Sequence, residues 1–313
     1  MEYGIERFKA ATVAEAEMLA RLEVPHICLS NLLVGPNLQR FVQLVKAYPE
    51  SQFWTLADDL GIWSELDATL AAAGVQALVL VDVNLGLDRT GVPVGEVGAF
   101  TRAGRAYEHA SFAGYHCYDG NVRQADPEER LAVVRGSREQ LVEALADELA
   151  EHAEKLVLIV GGSPSFPSHV ELVDKYYSPG TIFINDYGYY SSFPDIACPP
   201  AAAVLTRVIS RPGPGLFTLD AGSKAVSADK PMEQRGYLVG WGERVRPLRQ
   251  NEEHWVWEMT DPRDTPPAVG DTLYVIPGHI CPTSALYRHA EVVKGGRLHA
   301  SWPITARNRR IHI

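Results

Sequence analysis

Ala77-Leu78-Val79-Leu80-Val81-Asp82-Val83 is a near-continuous apolar run, and Asn84-Leu85-Gly86-Leu87-Asp88-Arg89-Thr90-Gly91-Val92 follows it directly. A run of this kind, closed by glycines, reads as a strand buried on both faces rather than one alternating between core and water. Such strands belong to parallel sheets covered by helices. Similar runs lie at Phe8–Ala11, Ile27–Ser30 and Phe53–Leu56 upstream, and at Phe112–His116, Leu156–Val160 and Thr181–Asn185 downstream. Between them Ala14–Leu22, Leu38–Ala47, Ile62–Ala73, Gly95–Tyr107, Ser137–His152 and Pro167–Asp174 carry helical periodicity. Thr12 with Glu15 three residues on is a capping-box pattern that starts the first helix. Strands and helices alternating in this way predict a (β/α) barrel over residues 1–195, with seven runs where a closed barrel needs eight.

From about residue 200 the texture changes. Val204–Ser210, Leu216–Asp220, Tyr237–Trp241, His254–Met259, Thr272–Ile276, Ala290–Val293, Arg297–Trp302 and Arg310–Ile313 are short strand candidates separated by Gly and Pro turns. Residues 196–313 are therefore expected to form an all-β domain, and the fold class is α/β followed by all-β.

The 313 residues are 46% hydrophobic and 22% charged, which excludes disordered, collagen-like and coiled-coil chains. A net charge of −10 argues against binding a phosphate backbone, so no nucleic-acid partner is expected. No run is long enough to span a membrane and the N-terminus has no signal-peptide pattern, so a cytoplasmic protein is expected. Cys28, Cys117, Cys198 and Cys281 are scattered, without CxxC spacing, which speaks against a disulfide framework.

In a (β/α) barrel chemistry sits just beyond the C-terminal ends of the strands. Gly161-Gly162-Ser163-Pro164-Ser165 follows the Leu156–Val160 run and reads as either a phosphate cradle or a tight turn. Arg89, held between glycines, can donate to a ligand oxygen or pair with a neighbouring Asp. His116 and Tyr118 end the Phe112 run and share one side of it. His279 and Cys281, two apart in what reads as extended chain, would point to one face as a soft pair suited to Zn²⁺, or be a buried Cys beside a hydrogen-bonded His. There is no G-x-S-x-G elbow, no G-x-G-x-x-G and no P-loop.

Taken together, Phe8-Lys9-Ala10-Ala11-Thr12-Val13-Ala14-Glu15-Ala16-Glu17, Asp82–Val92, Gly161–Ser165, Thr218-Leu219-Asp220-Ala221-Gly222-Ser223-Lys224 and His279-Ile280-Cys281-Pro282-Thr283 resemble, in order, the D-threonine aldolase and D-serine dehydratase family. That resemblance implies an alanine racemase-like barrel, a C-terminal β domain and pyridoxal 5′-phosphate (PLP) as cofactor. It implies Arg89 on the cofactor's phenolic oxygen and His116 and Tyr118 near its ring. It further implies Gly162, Ser163 and the stretch Asn185, Asp186 and Tyr187 around the phosphate. His279 and Cys281 would hold a divalent metal, Zn²⁺ or Mn²⁺, with Cys281 tilting the choice towards a dehydratase. Arg89 and His116 are the implied catalytic residues, a D-amino acid the substrate and a homodimer the assembly. Glu253 and His254 resemble a further motif near the family's active site.

The family's Schiff-base lysine lies on a strand ahead of the one matching Phe8–Ala11, so the barrel is expected to lack its first βα unit. The chain's seven lysines are Lys9, Lys46, Lys155, Lys175, Lys224, Lys230 and Lys294, and none occupies the matching position. The expectation is a PLP- and metal-dependent lyase whose native start lies upstream and which is inactive as given. The alternatives are a non-catalytic PLP-binding protein or a racemase on the same fold.

Overall fold

The computed structural model of the chain describes residues 3–152, 156–172 and 176–313. Two compact units divide it: one runs to Pro179 and takes in Asn308–Ile313, the other is Gly180–Arg307. No described helix is long and apolar enough to cross a membrane.

In the first unit β1 (Arg7–Ala10), α1 (Val13–Ala20), β2 (His26–Leu32), α2 (Pro36–Ala47), β3 (Gln52–Ala57), α3 (Leu60–Ala73) and β4 (Ala77–Asn84) alternate. The two-residue β5 (Val92–Pro93), α4 (Val97–Gly104), β6 (Ala110–Cys117), α5 (Pro127–Ala144), α6 (Ala146–His152), β7 (Val157–Val160), α7 (Phe166–Glu171) and β8 (Tyr176–Tyr177) follow. The strands form one parallel sheet in the order β1-β2-β3-β4-β6-β7-β8, with β5 beside β4. Six of these seven strands fall on the apolar runs, and together the seven make a half-barrel of the expected alternating kind.

Side chains alternate across each strand and so sort into two layers. Val79, Val81 and Val83 of β4 join Phe41, Trp63 and Leu66 of the covering helices in the larger core. Leu78 and Leu80 turn the other way and meet Cys28, Trp54 and Ile159 in a smaller inner cluster. Trp63, fully buried, donates its indole N–H to the Ala110 carbonyl at 2.7 Å and rests on Tyr107 and Phe100. The capping box at α1 forms as expected: Glu15 N donates to Thr12 Oγ1 at 3.2 Å, and Thr12 N donates to Glu15 Oε2 at 3.0 Å.

The second unit holds α8 (Tyr187–Ser192), β9 (Val204–Ser210), β10 (Leu216–Leu219), β11 (Gly236–Leu238), β12 (Val245–Gln250), β13 (Trp255–Met259), β14 (Thr272–Pro277), α9 (Ile280–Ser284), β15 (His289–Lys294) and β16 (Arg297–Pro303). A six-stranded antiparallel sheet in the order β11-β14-β9-β10-β13-β12 encloses Phe217, Leu219, Trp255 and Trp257, and β15 pairs with β16 alone.

Two expectations need correction, and one strand was not foreseen. Thr181–Asn185 is no strand: residues 181–183 make one 3-10 turn and Asn185 takes φ 56°, while the seventh strand is Tyr176–Tyr177. This stretch belongs to the second unit. Arg310–Ile313 forms no strand; the His312 N–H donates to Glu17 Oε2 at 2.9 Å within the first unit. β12 was not foreseen because Pro247 interrupts its pattern, but it is an edge strand, where a missing N–H is tolerated.

Candidate active site

The inner face of the half-barrel decides which polar side chains meet. Asp82 lies two residues beyond Leu80 on β4, and its register partner on β6 is His116. Lys9 on β1 is the register partner of Cys28, a member of the inner cluster. Parity therefore brings Lys9, Asp82 and His116 to one layer, near the C-terminal ends of their strands.

Asp82 Oδ1 accepts from His116 Nδ1 at 2.7 Å, and Thr90 Oγ1 donates to Asp82 Oδ2 at 2.7 Å. Both members of the His116–Asp82 pair are almost wholly buried, at 5% and 6% side-chain exposure. Burial holds the His116 pKa below the usual imidazole value, against the opposing pull of the Asp82 hydrogen bond. Because the carboxylate can only accept, Nδ1 carries the proton and the neutral ring offers the Nε2 lone pair. That lone pair faces Lys9 Nζ at 3.5 Å. Lys9 also donates to Ser178 Oγ at 2.8 Å, and Ser178 in turn donates to the Gly161 carbonyl at 2.8 Å. The lysine keeps contact with solvent through the mouth, but surrounding protein mass lowers its pKa, and the Arg89 charge adds to this against Cys28, Asp82 and Asp119. Cys28 beneath it is a buried thiol pushed up to about 12 by desolvation, which makes it an inert core residue.

Tyr118 completes the mouth. The Arg89 guanidinium sits 4.9 Å and the Lys9 ammonium 5.5 Å from its ring centroid. Among the described residues no carboxylate forms an ion pair with either cation. Glycine at 162 suits this ring position, since a Cβ there would stand 3.0 Å from Tyr118 Cε2 and the ring would have to give by a few tenths of an ångström. The Gly162 N–H itself is taken up inside the protein: it donates to Asp119 Oδ1 at 3.1 Å and Ser165 Oγ at 3.0 Å. Asp119 also accepts from Ser165 Oγ at 2.6 Å and pairs with His169 Nε2 at 2.8 Å. The buried Asp119 thus ties down the loop holding Gly162 and the buried Ser163.

The sequence reading therefore finds Arg89, His116, Tyr118, Gly162 and Ser163 together in the first unit. It gave no role to Asp82, Asp119 or Ser178. A charge inside the apolar run Ala77–Val83 was the available signal for Asp82.

Asn185, Asp186, Tyr187, His279 and Cys281 lie in the second unit. His279 is extended, at φ −148°, but Cys281 is already within α9, so the expected common face of an extended chain is not what joins them. They meet nonetheless. A hydrogen bond from the imidazole lowers the Cys281 pKa, and the same bond, with that to Asp229, raises His279 to about 8. Asp229 Oδ2 pairs with His279 Nδ1 at 2.5 Å, and Thr181 Oγ1 lies 3.3 Å from Cys281 Sγ. Asp186 braces this corner, capping α8 through Tyr189 N at 2.9 Å and accepting from Ile280 N at 3.0 Å. Asn185 is bonded to the Cys198 carbonyl, and the Tyr187 ring stacks on Tyr237 at 4.4 Å. Among the described residues no group of three or more His, Cys, Asp or Glu side chains is arranged around a metal position. Glu253 pairs with Lys224 on the surface, an exposed contact of little energetic weight.

A half-barrel of parallel strands with its polar cluster at the strand ends, joined to an antiparallel β unit, defines a class of two-domain α/β proteins. The chain belongs to the alanine racemase N-terminal domain family, which matches residues 1–185; the serine dehydratase domain matches residues 201–293. It is 28% identical to the D-threonine aldolase of an Arthrobacter species over 302 residues, which is 94% of this chain and 77% of that protein. It is 27% identical to a 3-hydroxy-D-aspartate aldolase of Paracoccus denitrificans over 308 residues, covering 95% of this chain and 77% of the relative. Among solved structures, the D-threonine aldolase of Filomicrobium marinum superposes with a TM-score of 0.87 at 26% identity, over 99% of this chain and 84% of that one. D-threo-3-hydroxyaspartate dehydratase from Delftia sp. HT23 shares the fold, with a TM-score of 0.80 at 20% identity over 96% of this chain and 84% of that one.

Proposed function

We propose that the chain is a PLP-dependent lyase acting on a D-β-hydroxy-amino acid. One observation carries the reading: Arg89 and Lys9, two cations that form no carboxylate ion pair among the described residues, converge on the Tyr118 ring beside a neutral, Asp82-held His116. A mouth of that kind, in a chain of net charge −10, suits a planar aromatic anion. The names of the aldolases it matches along most of their length support the substrate class.

PLP supplies an electron sink for charge developing at the substrate's Cα. Arg89 would donate to its phenolic oxygen, and Tyr118 and His116 would border its ring. The phosphate would lie against the loop of Gly162 and Ser163. Asp82 fixes the tautomer of His116, so that Nε2 is the atom able to accept a proton. A racemase would need a second acid of tyrosine type, and the Tyr287 hydroxyl is spent on the Ala225 carbonyl at 2.8 Å.

His279 and Cys281 fit a divalent metal by donor type: an imidazole oriented by Asp229 beside a thiol of lowered pKa, a pair suited to Zn²⁺. A metal held there would supply Lewis-acid chemistry. The family reading also carries a homodimer with it.

Titration of the chain with PLP tests the reading. Arg89→Met removes a charge-assisted hydrogen bond worth about 1.5–3 kcal/mol, so the Kd should rise roughly ten- to 150-fold. Equal affinity for the two proteins would remove Arg89 from the site, and no binding to the unsubstituted chain would end the reading.

A further inference from the structure

The loop that carries Asp229 is built to hold the His279 ring in one orientation. Asp229 Oδ2 meets His279 Nδ1 at 2.5 Å, and the other carboxylate oxygen accepts from Ser227 Oγ at 2.6 Å. The loop is fixed on both sides of Asp229. The Val226 carbonyl accepts from Gln250 Nε2 at 3.0 Å, and the Lys230 carbonyl accepts from Arg235 Nε at 2.7 Å. It is also stapled to α9, because the buried Thr283 hydroxyl accepts from Ser227 N at 3.2 Å and donates to the His279 carbonyl at 2.8 Å. Stability does not call for this arrangement: the His279 and Asp229 side chains are 32% and 39% exposed, and an ion pair so open to water contributes little to folding. Nor is Asp229 a third ligand, since among the described residues no three His, Cys, Asp or Glu side chains surround a metal position. Beside the thiol, Thr181 Oγ1 lies 3.3 Å from Cys281 Sγ. The Thr181 carbonyl accepts from Asn185 N at 2.6 Å and Ile184 N at 3.1 Å, which pins that residue in its turn.

We propose that Asp229 and Thr181 are the positioning residues of the metal pair: Asp229 keeps the His279 proton on Nδ1 and so leaves the Nε2 lone pair for the ion, and Thr181 donates its hydroxyl to the Cys281 thiolate. The inference rests on the metal reading above. A carboxylate can only accept, so the nitrogen it meets carries the proton, and the neutral ring has one lone pair left, on Nε2. A thiolate likewise only accepts, so the Thr181 hydroxyl is the donor once Cys281 is ionised. Two ligands at the start of α9 leave the ring free to turn about its own bond, and the carboxylate removes that freedom. Carboxylate–histidine partnerships of this kind fix ring orientation and raise the basicity of the ligand. Sequence spacing could show neither residue, because Asp229 stands 50 positions from His279 and Thr181 stands 100 from Cys281.

The test is zinc titration of the full chain against a chromophoric chelator, with thermal unfolding of the metal-free chain measured alongside. Asp229→Asn keeps the volume and loses the carboxylate, and its zinc Kd should rise about 10- to 100-fold, the usual effect of removing such a partner. Thr181→Val should raise the Kd roughly tenfold, as expected for one hydrogen bond to a charged group. It should also shift the thiolate-to-cobalt absorption band of the cobalt(II)-loaded chain, which a purely structural hydroxyl would leave in place. The metal-free unfolding temperature of both variants should match that of the unsubstituted chain. An unchanged zinc Kd in Asp229→Asn, or a loss of affinity matched by a lower metal-free unfolding temperature, overturns the positioning role and leaves the metal reading standing. An unshifted cobalt band in Thr181→Val overturns the part given to Thr181. No zinc bound by the unsubstituted chain, or zinc retained unchanged in Cys281→Ala, overturns the metal reading itself.

Discussion

Asp82→Asn changes one buried oxygen to an amide nitrogen at nearly constant volume. In the native chain Asp82 accepts from His116 at 2.7 Å and from Thr90 at 2.7 Å. Both partners of the His116–Asp82 contact are nearly sealed from water, so little of the interaction is lost to solvent screening. A hydrogen bond to a charged group contributes about 1.5–3 kcal/mol, and the substituted amide retains a weaker neutral one. Its NH2 group now donates to Nδ1, so the imidazole proton moves to Nε2 and faces Lys9. The expected destabilisation of the first unit is therefore about 1.5–3 kcal/mol, a factor of roughly ten to 150 in local opening. Native-state hydrogen exchange reads this directly, because amides report the opening free energy of their own segment. Peptides covering Ala77–Asn84 and Ala110–Cys117 should exchange faster by that factor, while Val204–Ser210 in the second unit should be unchanged. A change below twofold in the β4 and β6 peptides would refute the argument that Asp82 anchors His116. An equal acceleration in the second unit would show a general loss of stability instead.

Burial keeps native His116 uncharged where the unfolded chain protonates near pH 6.5, so the unfolded state binds more protons as pH falls below that value. Stability should then drop on acidification by up to about 1.4 kcal/mol per pH unit from this group, and His116→Gln should flatten that slope in urea titrations followed at β6; an unaltered slope removes His116 as the source. Trp63→Ala leaves a cavity under α3 and strands the Ala110 carbonyl, at an expected cost of about 3–5 kcal/mol, visible as a lowered thermal transition; a cost under 1 kcal/mol would mean that the core refills the space. Cys281→Ala should reduce bound zinc, measured by atomic absorption after dialysis, and an unchanged stoichiometry takes Cys281 out of the metal site. Gly162→Ala should weaken PLP affinity by displacing Tyr118, with the circular-dichroism spectrum unchanged; unaltered affinity would mean the ring tolerates the shift.

The strand–helix alternation was legible because β4 and its neighbours are apolar on both faces, and period and length then leave little choice. The ends were less legible. The seventh run read as a strand, Thr181–Asn185, has the right composition, but Asn185 adopts a left-handed backbone and the segment turns instead. Proline at 247 hid an edge strand for the reason that makes edges tolerant of it. At the mouth, Arg89, His116 and Tyr118 could be named because they directly follow strands. Lys9 and Asp82 lie within strands, and only register shows that they share the inner layer with His116. His279 and Cys281 were paired on a mistaken backbone conformation, yet the turn into α9 brings the two side chains together by another route.

Product analysis with pure enantiomers tests the central claim most directly. The chain is incubated with PLP and zinc or manganese, and with D- or L-threonine or either enantiomer of 3-hydroxyaspartate. The account expects consumption of the D-enantiomer alone, only with PLP, giving glycine and an aldehyde if the enzyme is an aldolase, or a keto acid and ammonia if it is a dehydratase. Appearance of the mirror-image amino acid, or consumption of the L-enantiomer, would contradict it.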